Sequence, residues 1–157
     1  SITSYLEQGT IVRLYLPRAS DSKKITAPSA TQDLILGHGE LLILADDDDF
    51  VRDSHKDALI QLGYRVIPVA DGQQALDTYR VTPQVALMIS DIVMPNLDGI
   101  KAGRMMREIN ADLPLLYMTG YADRIEQPTD FPSGAVLLKK PANIEQLSQI
   151  VGLLLHR

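Results

Sequence analysis

The stretch from Leu42 to Phe50, LILADDDDF, joins a continuous apolar run directly to four adjacent aspartates. An unbroken apolar run such as Leu41–Ala45 is typical of a short strand that is buried on both faces of a parallel sheet. Four neighbouring carboxylates repel one another unless solvent or a cation offsets their charge. We interpret Asp46 and Asp47 as the acidic end of this buried strand. The last two aspartates are then the exposed first turn of a helix, where negative charge suits the helix dipole.

The pattern of this first strand recurs along the chain, where short apolar runs alternate with segments of helical periodicity. The alternation predicts five parallel strands with helices covering both faces of the sheet. The predicted strands are Leu41–Ala45, Arg65–Val69, Val85–Ile89, Leu113–Met118 and Ala135–Leu138. Helices are predicted over Phe50–Leu62, after the capping residue Asp71, over Ile100–Ile109 and after the capping residue Asn143. Pro128 and Pro132 interrupt the helix expected between the last two strands, so we predict a shortened fourth helix.

The composition limits the functions that the chain can have. Its 157 residues are 45% hydrophobic and 22% charged, as in soluble globular domains. The formal net charge of −5 argues against a nucleic-acid partner, and the absence of cysteine excludes disulfides, thiolate metal sites and cysteine catalysis. The longest apolar runs are too short to span a bilayer. We expect a cytoplasmic segment without membrane contact of its own, although the parent protein could still be anchored in a membrane.

Chemically active side chains follow four of the predicted strands. Ligands of open α/β sheets bind beyond the carboxyl ends of the strands, so residues at these ends should converge on one edge. The residues placed there are Asp46, Asp47, Asp91, Thr119, Lys139 and Lys140. Clustered carboxylates favour a hard divalent cation, and Mg²⁺ takes one or two carboxylates while leaving room for phosphate oxygens. A carboxylate beside such an ion can attack a phosphoryl group, with an ammonium and a hydroxyl stabilising the transferred charge.

Four segments, in this order, resemble the signatures of a response-regulator receiver domain. They are LLILADDDDFVR, MISDIVMPNLDGI, LLYMTGYAD and LLKKPAN, and the resemblance covers roughly residues 40–157. It implies a flavodoxin-like, doubly wound α/β fold with strand order 2-1-3-4-5. It also implies a role in two-component signalling, in which the domain accepts a phosphoryl group from a phosphohistidine and itself catalyses this transfer.

The resemblance assigns a role to each residue of the predicted site. Asp91 matches the phosphorylated aspartate, while Thr119 and Lys140 match the hydroxyl and the lysine that act with it. The Mg²⁺ ligands implied by the resemblance are Asp46, Asp47, Asp91 and the backbone carbonyl of Val93. Lys139 is then an ordinary surface lysine. The peptide bond between Lys140 and Pro141 is expected to be cis, as is usual in the family.

The start of the chain resembles a different family. Thr10–Leu16 alternates with period two after a turn at Gln8-Gly9, which predicts a β-hairpin. The segment SYLEQGTIVRLYLPRA is similar to the final strands of a histidine-kinase ATP-binding domain. We therefore predict a kinase-domain remnant over residues 1–18, a linker over 19–39 and a receiver domain over 40–157. The parent chain is then a hybrid sensor histidine kinase whose catalytic core lies outside this sequence.

The expected partners follow from these two resemblances. They are a histidine kinase core or a histidine phosphotransfer protein, which would act as phosphodonor in a phosphorelay. A homodimer formed through the N-terminal strand is a further possibility, since a lone hairpin is marginal in water and needs a surface to pack on.

The residues alone do not exclude three other functions. One is a degenerate receiver that acts as an interaction module without phosphorylation, although the complete set of site residues argues against it. Another is a Mg²⁺-dependent phosphatase with an aspartate nucleophile, but Asp91-Ile92-Val93 lacks the second acid of the D-x-D pair that such enzymes use. A flavin-binding module would need a hydroxyl- or glycine-rich phosphate loop where this chain has four aspartates.

Several other side chains receive purely structural interpretations. His38, His55 and His156 have no metal-ligand spacing in the sequence, and we predict that all three are isolated surface histidines. The predicted helix over Ile100–Ile109 is expected to bury Ala102, Met105, Met106 and Ile109.

Overall fold

The chain folds as two compact units, Ser1–Thr31 and Gln32–Arg157. The computed structural model describes residues 2–5, 9–13, 15, 34–120 and 131–156. In the first unit, strand β1 (Ile2–Tyr5) pairs antiparallel with strand β2 (Gly9–Val12). The predicted hairpin is therefore confirmed for these residues. The expected continuation to Leu16 is not confirmed, because the described residues Arg13 and Tyr15 lie outside the strand, and Leu14 and Leu16 lie outside the described residues.

The second unit contains a five-stranded parallel sheet. Its strands are β3 (Leu41–Ala45), β4 (Arg65–Val69), β5 (Val85–Asp91), β6 (Leu115–Thr119) and β7 (Val136–Lys139). The described helices are α1 (Asp49–Gln61), α2 (Gly72–Val81), α3 (Gly99–Ile109) and α4 (Ile144–Leu155). The strand order β4-β3-β5-β6-β7 is the predicted 2-1-3-4-5 order when β3 is counted first. The predicted short fourth helix falls on residues 121–130, outside the described residues.

Short polar side chains begin the helices at the expected places. Asp71 accepts a hydrogen bond from the backbone N–H of Gln74 at the start of α2. Asn143 and Gln146 form a reciprocal capping box at the start of α4. Each cap satisfies a backbone donor that the first helical turn leaves without a partner, and such a cap contributes about 1 kcal/mol. The two predicted capping residues are thus confirmed.

The sheet is buried between two apolar clusters, one on each face. Successive residues of β3 point to opposite faces, so Leu42 and Leu44 enter one cluster while Ile43 enters the other. The first of these clusters packs under α1 and α4, and the second packs under α2 and α3. Burial of both faces explains why the strand sequences are continuously apolar.

The prediction for the buried face of α3 is partly wrong. Ala102 and Met106 are buried as expected, but Met105 is 37% exposed and Ile109 is 56% exposed. The helix packs closely at Gly103, where any Cβ would meet the Tyr117 hydroxyl and the Leu115 side chain. The buried stripe therefore runs through Gly103 and Met106, which turns the neighbouring Met105 toward solvent.

None of the described helices combines the length and the apolar character needed to cross a bilayer.

Candidate functional site

The predicted site residues meet at the carboxyl edge of the five-stranded sheet. Asp46 follows β3, Asp91 ends β5, Thr119 ends β6 and Lys140 follows β7. Exposed Lys139 does not join them and remains a surface lysine. The cleft between these strand ends measures about 350 Å³ and is lined by Asp46, Asp47, Asp48, Val51, Asp91, Val93, Thr119, Gly120 and Lys140.

Lys140 links two of the acidic residues directly. Its Nζ donates to Asp46 Oδ2 at 2.7 Å and to Asp91 Oδ2 at 2.6 Å. Its backbone N–H donates to the carbonyl oxygen of Thr119 at 2.8 Å, which fixes where the lysine leaves the sheet. The Lys140–Pro141 peptide is cis, as expected. One ammonium group therefore joins the ends of β3, β5 and β7.

The electrostatic surroundings keep this ammonium charged. Burial acts to lower the pKa of Lys140, but the hydrogen bonds to Asp46 and Asp91 and their negative charges outweigh burial and raise that pKa above the usual lysine value. The side chain is only 15% exposed, so these interactions are weakly screened by water. At neutral pH the cleft therefore contains a fixed positive charge between two carboxylates.

Backbone donors orient both carboxylates. Asp91 Oδ1 accepts from the N–H groups of Ile92 at 2.6 Å and Val93 at 3.4 Å. Asp46 Oδ1 accepts from the N–H of Asp48 at 3.1 Å. Hydrogen bonds of this kind hold an ionised carboxylate in one orientation without a further side chain. Asp91 is thus presented toward the cleft in a defined orientation.

Three carboxylates lie close enough together to share a cation. One oxygen each from Asp46, Asp47 and Asp91 lies within 4.8 Å of the others. Among the described residues that line the cleft, four aspartates against the one ammonium of Lys140 leave the cleft negative. Asp46 is 1% exposed, whereas Asp47 is open to solvent. Oxygen donors with access for water are the surroundings that Mg²⁺ prefers, so these residues fit the ion.

The loop after Asp91 packs tightly against the end of β5. Gly99, the first residue of α3, donates its N–H to the carbonyl of Ile92 at 3.0 Å. A Cβ at Gly99 would overlap the Asp91 carbonyl oxygen, so only glycine fits at this place without a shift. Asn96 adopts a positive φ of 62° and donates its side-chain N–H to Asp71 Oδ2 at 2.8 Å. The sequence LDG of this loop is the signal for such a close turn.

The contacts of Asp48 and Asp49 differ from the prediction in one respect. Asp48 is exposed, but its side chain accepts from the N–H groups of Phe50 and Val51 and so caps α1. Asp49 pairs with Arg52, whose Nη1 also donates to the carbonyl of Asp46 at 2.6 Å. The first turn of α1 therefore supports the acidic strand end and is more than a solvated charge run.

The prediction of three isolated surface histidines is wrong. His55 is 7% exposed, and its Nδ1 has no hydrogen-bond partner among the described residues. Burial lowers the pKa of His55, and the positive charge of Lys140 lowers it further. His38 and His156 do lie at the surface, but they contact each other, with ring centroids 5.4 Å apart. Sequence spacing gave no signal for this pair, because they lie near opposite ends of the described unit.

The fold and the site together define a class of protein, and comparison with known sequences agrees. The family described as "Response regulator receiver domain" matches residues 42–152. The chain belongs to this family.

Two curated relatives indicate the settings in which similar chains occur. Sensor kinase CckA of Brucella abortus is 30% identical over 165 residues, a match that covers 98% of this chain and 17% of that kinase. Response regulator receiver protein CpdR of the same organism is 36% identical over 107 residues, covering 68% of this chain and 88% of CpdR. The chain thus spans a small part of the first relative and nearly all of the second.

Solved structures share the fold of the second unit. The receiver domain of hybrid histidine kinase CckA superposes with a TM-score of 0.64 at 28% identity, covering 73% of this chain and 98% of that domain. The receiver domain of sensor histidine kinase PA1611 from Pseudomonas aeruginosa superposes with a TM-score of 0.70 at 26% identity. The match covers 76% of this chain and 99% of that domain. That structure contains a magnesium ion coordinated in its active site cleft.

Proposed function

We propose that this chain is a phosphoacceptor of two-component signalling and that Asp91 takes a phosphoryl group from a phosphohistidine with Mg²⁺ in the acidic cleft. The observation that carries the proposal is the bridge from Lys140 Nζ to Asp46 Oδ2 and Asp91 Oδ2 at 2.7 and 2.6 Å. An ammonium in this position offers positive charge where the phosphoryl oxygens would arrive. Membership of the receiver family supports the same role.

The residues of the cleft have separate parts in the proposed transfer. A carboxylate oxygen of Asp91 attacks phosphorus, and the bond from phosphorus to the donor imidazole breaks with its electron pair left on nitrogen. The N–H groups of Ile92 and Val93 hold Oδ1 of Asp91 during the attack. The ammonium of Lys140 shifts its hydrogen bonds from the carboxylates to the phosphoryl oxygens. Thr119 is buried and lines the same cleft.

We propose that Mg²⁺ would be held by Asp46, Asp47, Asp91 and the backbone carbonyl of Val93, and these four residues are among those that line the cleft. When bound, the ion neutralises negative charge on the phosphoryl oxygens. The magnesium ion in the PA1611 receiver domain supports this proposal.

The phosphodonor would dock on an apolar cleft next to the acidic one. This second cleft measures about 420 Å³ and is lined by Phe50, Val51, Ser54, His55, Lys140, Pro141 and Ala142. Phe50 is 90% exposed, and Val51 and Lys140 belong to both clefts. An exposed aromatic side chain is a typical anchor for a partner surface. We propose that a histidine kinase core or a histidine phosphotransfer protein binds here.

The larger setting is also a proposal. The match to a sensor kinase covers 98% of this chain and so extends beyond the receiver-family segment, residues 42–152. This extent supports a hybrid kinase in which residues 1–18 end the ATP-binding domain, 19–39 form a linker and 40–157 form the receiver. The expected homodimer through the N-terminal strand gains no support from the relatives and stays a prediction.

The proposal is tested by incubating the purified chain with acetyl phosphate and Mg²⁺ and measuring its intact mass. We expect wild type to gain one phosphoryl group and the Asp91→Asn variant to gain none. Removing Mg²⁺ with a chelator should abolish the gain in wild type. Asp112→Asn, an exposed aspartate away from the cleft, is the matched control and should behave like wild type. No gain in wild type or in Asp91→Asn would contradict the proposal and favour a degenerate receiver that acts as an interaction module without phosphorylation.

A further inference from the structure

A second group of potential metal ligands lies at the other end of β3. His38, Glu40 and His156 each offer one ligand atom, and these atoms lie within 4.8 Å of one another. Glu40 precedes β3 and Asp46 follows it, so the strand separates the two groups by about 20 Å. This cluster is therefore independent of the acidic cleft.

The backbone around His38 and Glu40 is held firmly in place. The N–H of Gly37 donates to the carbonyl of Leu62 at 2.7 Å, and the N–H of Gly39 donates to the carbonyl of Gly63 at 3.0 Å. The carbonyl of Glu40 accepts from the N–H of Arg65 at 2.9 Å. Three successive contacts with the end of α1 and the start of β4 thus position these two potential ligands before any ion binds.

A second set of contacts fixes this segment against α4. The Oγ of Ser148 accepts from the N–H of Ile35 at 2.6 Å and donates to the Ile35 carbonyl at 3.0 Å. The Ile35 side chain occupies the space that a Cβ at Gly152 would take. The N–H of His156 donates to the carbonyl of Gly152 at 2.9 Å, which continues the helix into the histidine. The approach of His156 to the segment is therefore a result of specific packing.

One carboxylate oxygen faces both imidazoles. Glu40 Oε2 accepts from the backbone N–H of His38 at 2.6 Å, which leaves Oε1 at 3.6 Å from His38 Nδ1 and 3.8 Å from His156 Nε2. A tetrahedral zinc ion with bonds of about 2.1 Å places its ligand atoms about 3.4 Å apart. The two distances to Glu40 Oε1 need to close by only a few tenths of an ångström, and the ligand nitrogens of the two histidines lie within 4.8 Å of each other. The His38 side chain is 81% exposed and can make that adjustment.

The chemistry of the ligand set selects the kind of ion. Two imidazole nitrogens and one carboxylate oxygen suit zinc and its transition-metal neighbours, whereas Mg²⁺ and Ca²⁺ prefer oxygen ligands alone. A glutamate carboxylate is ionised at neutral pH, so Glu40 is available as a ligand.

We propose that His38, Glu40 and His156 bind a divalent transition-metal ion of the zinc type, with water in the remaining coordination position. The ion fastens the segment Leu34–Glu40 to the end of α4. Because binding requires both elements to be in their folded positions, the ion also stabilises the folded second unit.

The test measures Zn²⁺ binding to the untagged chain in millimolar Mg²⁺, which is added to compete with Zn²⁺ for the acidic cleft. We expect one equivalent of Zn²⁺ to bind, with His38→Gln, Glu40→Gln and His156→Gln each weakening the affinity by at least about tenfold. Glu145→Gln, an exposed carboxylate of α4, is the matched control and should bind as wild type does. Asp91→Asn should also leave Zn²⁺ binding unchanged, because it alters only the acidic cleft.

A second measurement separates loss of the site from loss of the fold. Zn²⁺ should raise the unfolding temperature of wild type but not that of His156→Gln, and both should unfold at similar temperatures without the ion. Failure of wild type to bind micromolar Zn²⁺ overturns the proposal. Binding that survives in His38→Gln and His156→Gln but is lost in Asp91→Asn also overturns it, because the ion then occupies the acidic cleft.

Discussion

One ammonium group, the Nζ of Lys140, holds the acidic cleft together. Asp46 and Asp91 come from different strands, and their carboxylates would repel one another without it. In the proposed transfer, the same group would release part of this contact, because its donors would then be needed by the phosphoryl oxygens. Under that proposal, Lys140 would stabilise the fold before the transfer and the reaction during it.

Replacing Lys140 with methionine, which keeps the apolar stem, should lower the free energy of unfolding by about 1–3 kcal/mol at pH 7. The pKa of Lys140 is raised in the folded state. Its contribution to stability is therefore fully present below the pKa of lysine in the unfolded chain, about 10.4. That contribution is lost as pH rises through the higher pKa of Lys140 in the folded chain. Urea unfolding of both proteins at pH 7 and in alkaline solution checks this. An equal stability at pH 7 would contradict the role given to the bridge.

His55 should make stability sensitive to mild acid. Its pKa is lowered by burial and by Lys140, so the folded chain holds it neutral while the unfolded chain protonates it near pH 6.5. Stability is therefore full above about pH 6.5 and falls as pH drops, by at most about 1.4 kcal/mol per pH unit. Denaturant unfolding between pH 7.5 and about 5 should show this slope in wild type and in His38→Gln. The slope should be smaller in His55→Gln, and identical slopes would contradict the prediction.

Part of the candidate site follows from sequence alone. The apolar run before Asp46 and the position of Asp91 and Lys140 after later runs are enough to place all three at one edge of a parallel sheet. The contact between His38 and His156 does not follow, because it depends on how Ile35 packs on Gly152. Lateral packing of this kind leaves no periodic signal in the chain.

The loop between β5 and α3 couples the candidate phosphorylation site to a helix. Gly99 begins α3 and lies directly against the Asp91 carbonyl, while Asn96 ties the loop to the start of α2 through Asp71. A change at either end of the loop would therefore move the backbone that carries Asp91. The loop is short and bonded at both ends, which makes it a stiff connection.

Gly99→Ala should destabilise the chain by about 1–3 kcal/mol, because the added methyl group overlaps backbone that can yield only by moving β5 or α3. The same shift should slow phosphorylation of Asp91 by acetyl phosphate. Gly120→Ala is the matched control for stability, since no atom of the described residues lies within 4 Å of a Cβ there. Chemical unfolding of the two variants checks the prediction, and equal losses would contradict it.

The sequence predicts the strands and the starts of the helices better than it predicts which face of a helix is buried. The strands of the buried sheet are continuous apolar runs, and Asp71 and Asn143 are strong capping signals, so both emerge from local sequence. The exposure of Met105 depends on the close approach of α3 at Gly103, a tertiary effect that apolar periodicity does not encode. Local rules thus located the elements, and packing decided how α3 was turned.

The division of the chain into two units carries its own prediction. Both apolar clusters lie entirely within Gln32–Arg157, and so do all the residues of the candidate site. A chain of residues 32–157 should therefore unfold cooperatively, within a few degrees of the full chain, and should keep Mg²⁺-dependent phosphorylation. Thermal unfolding and intact mass check both statements. A fragment that unfolds without cooperativity would show that Ser1–Thr31 is needed for folding.

The most direct test of the proposed function is chemical trapping of the phosphorylated residue. Borohydride reduces an acyl phosphate to an alcohol, so a phosphorylated aspartate becomes homoserine and can be located by peptide mass spectrometry. After treatment with acetyl phosphate and Mg²⁺, we expect homoserine in place of Asp91 and of no other aspartate. Homoserine in place of Asp46 or Asp47, or an unreduced Asp91 in protein that has gained a phosphoryl group, would contradict the role of Asp91 as phosphoacceptor.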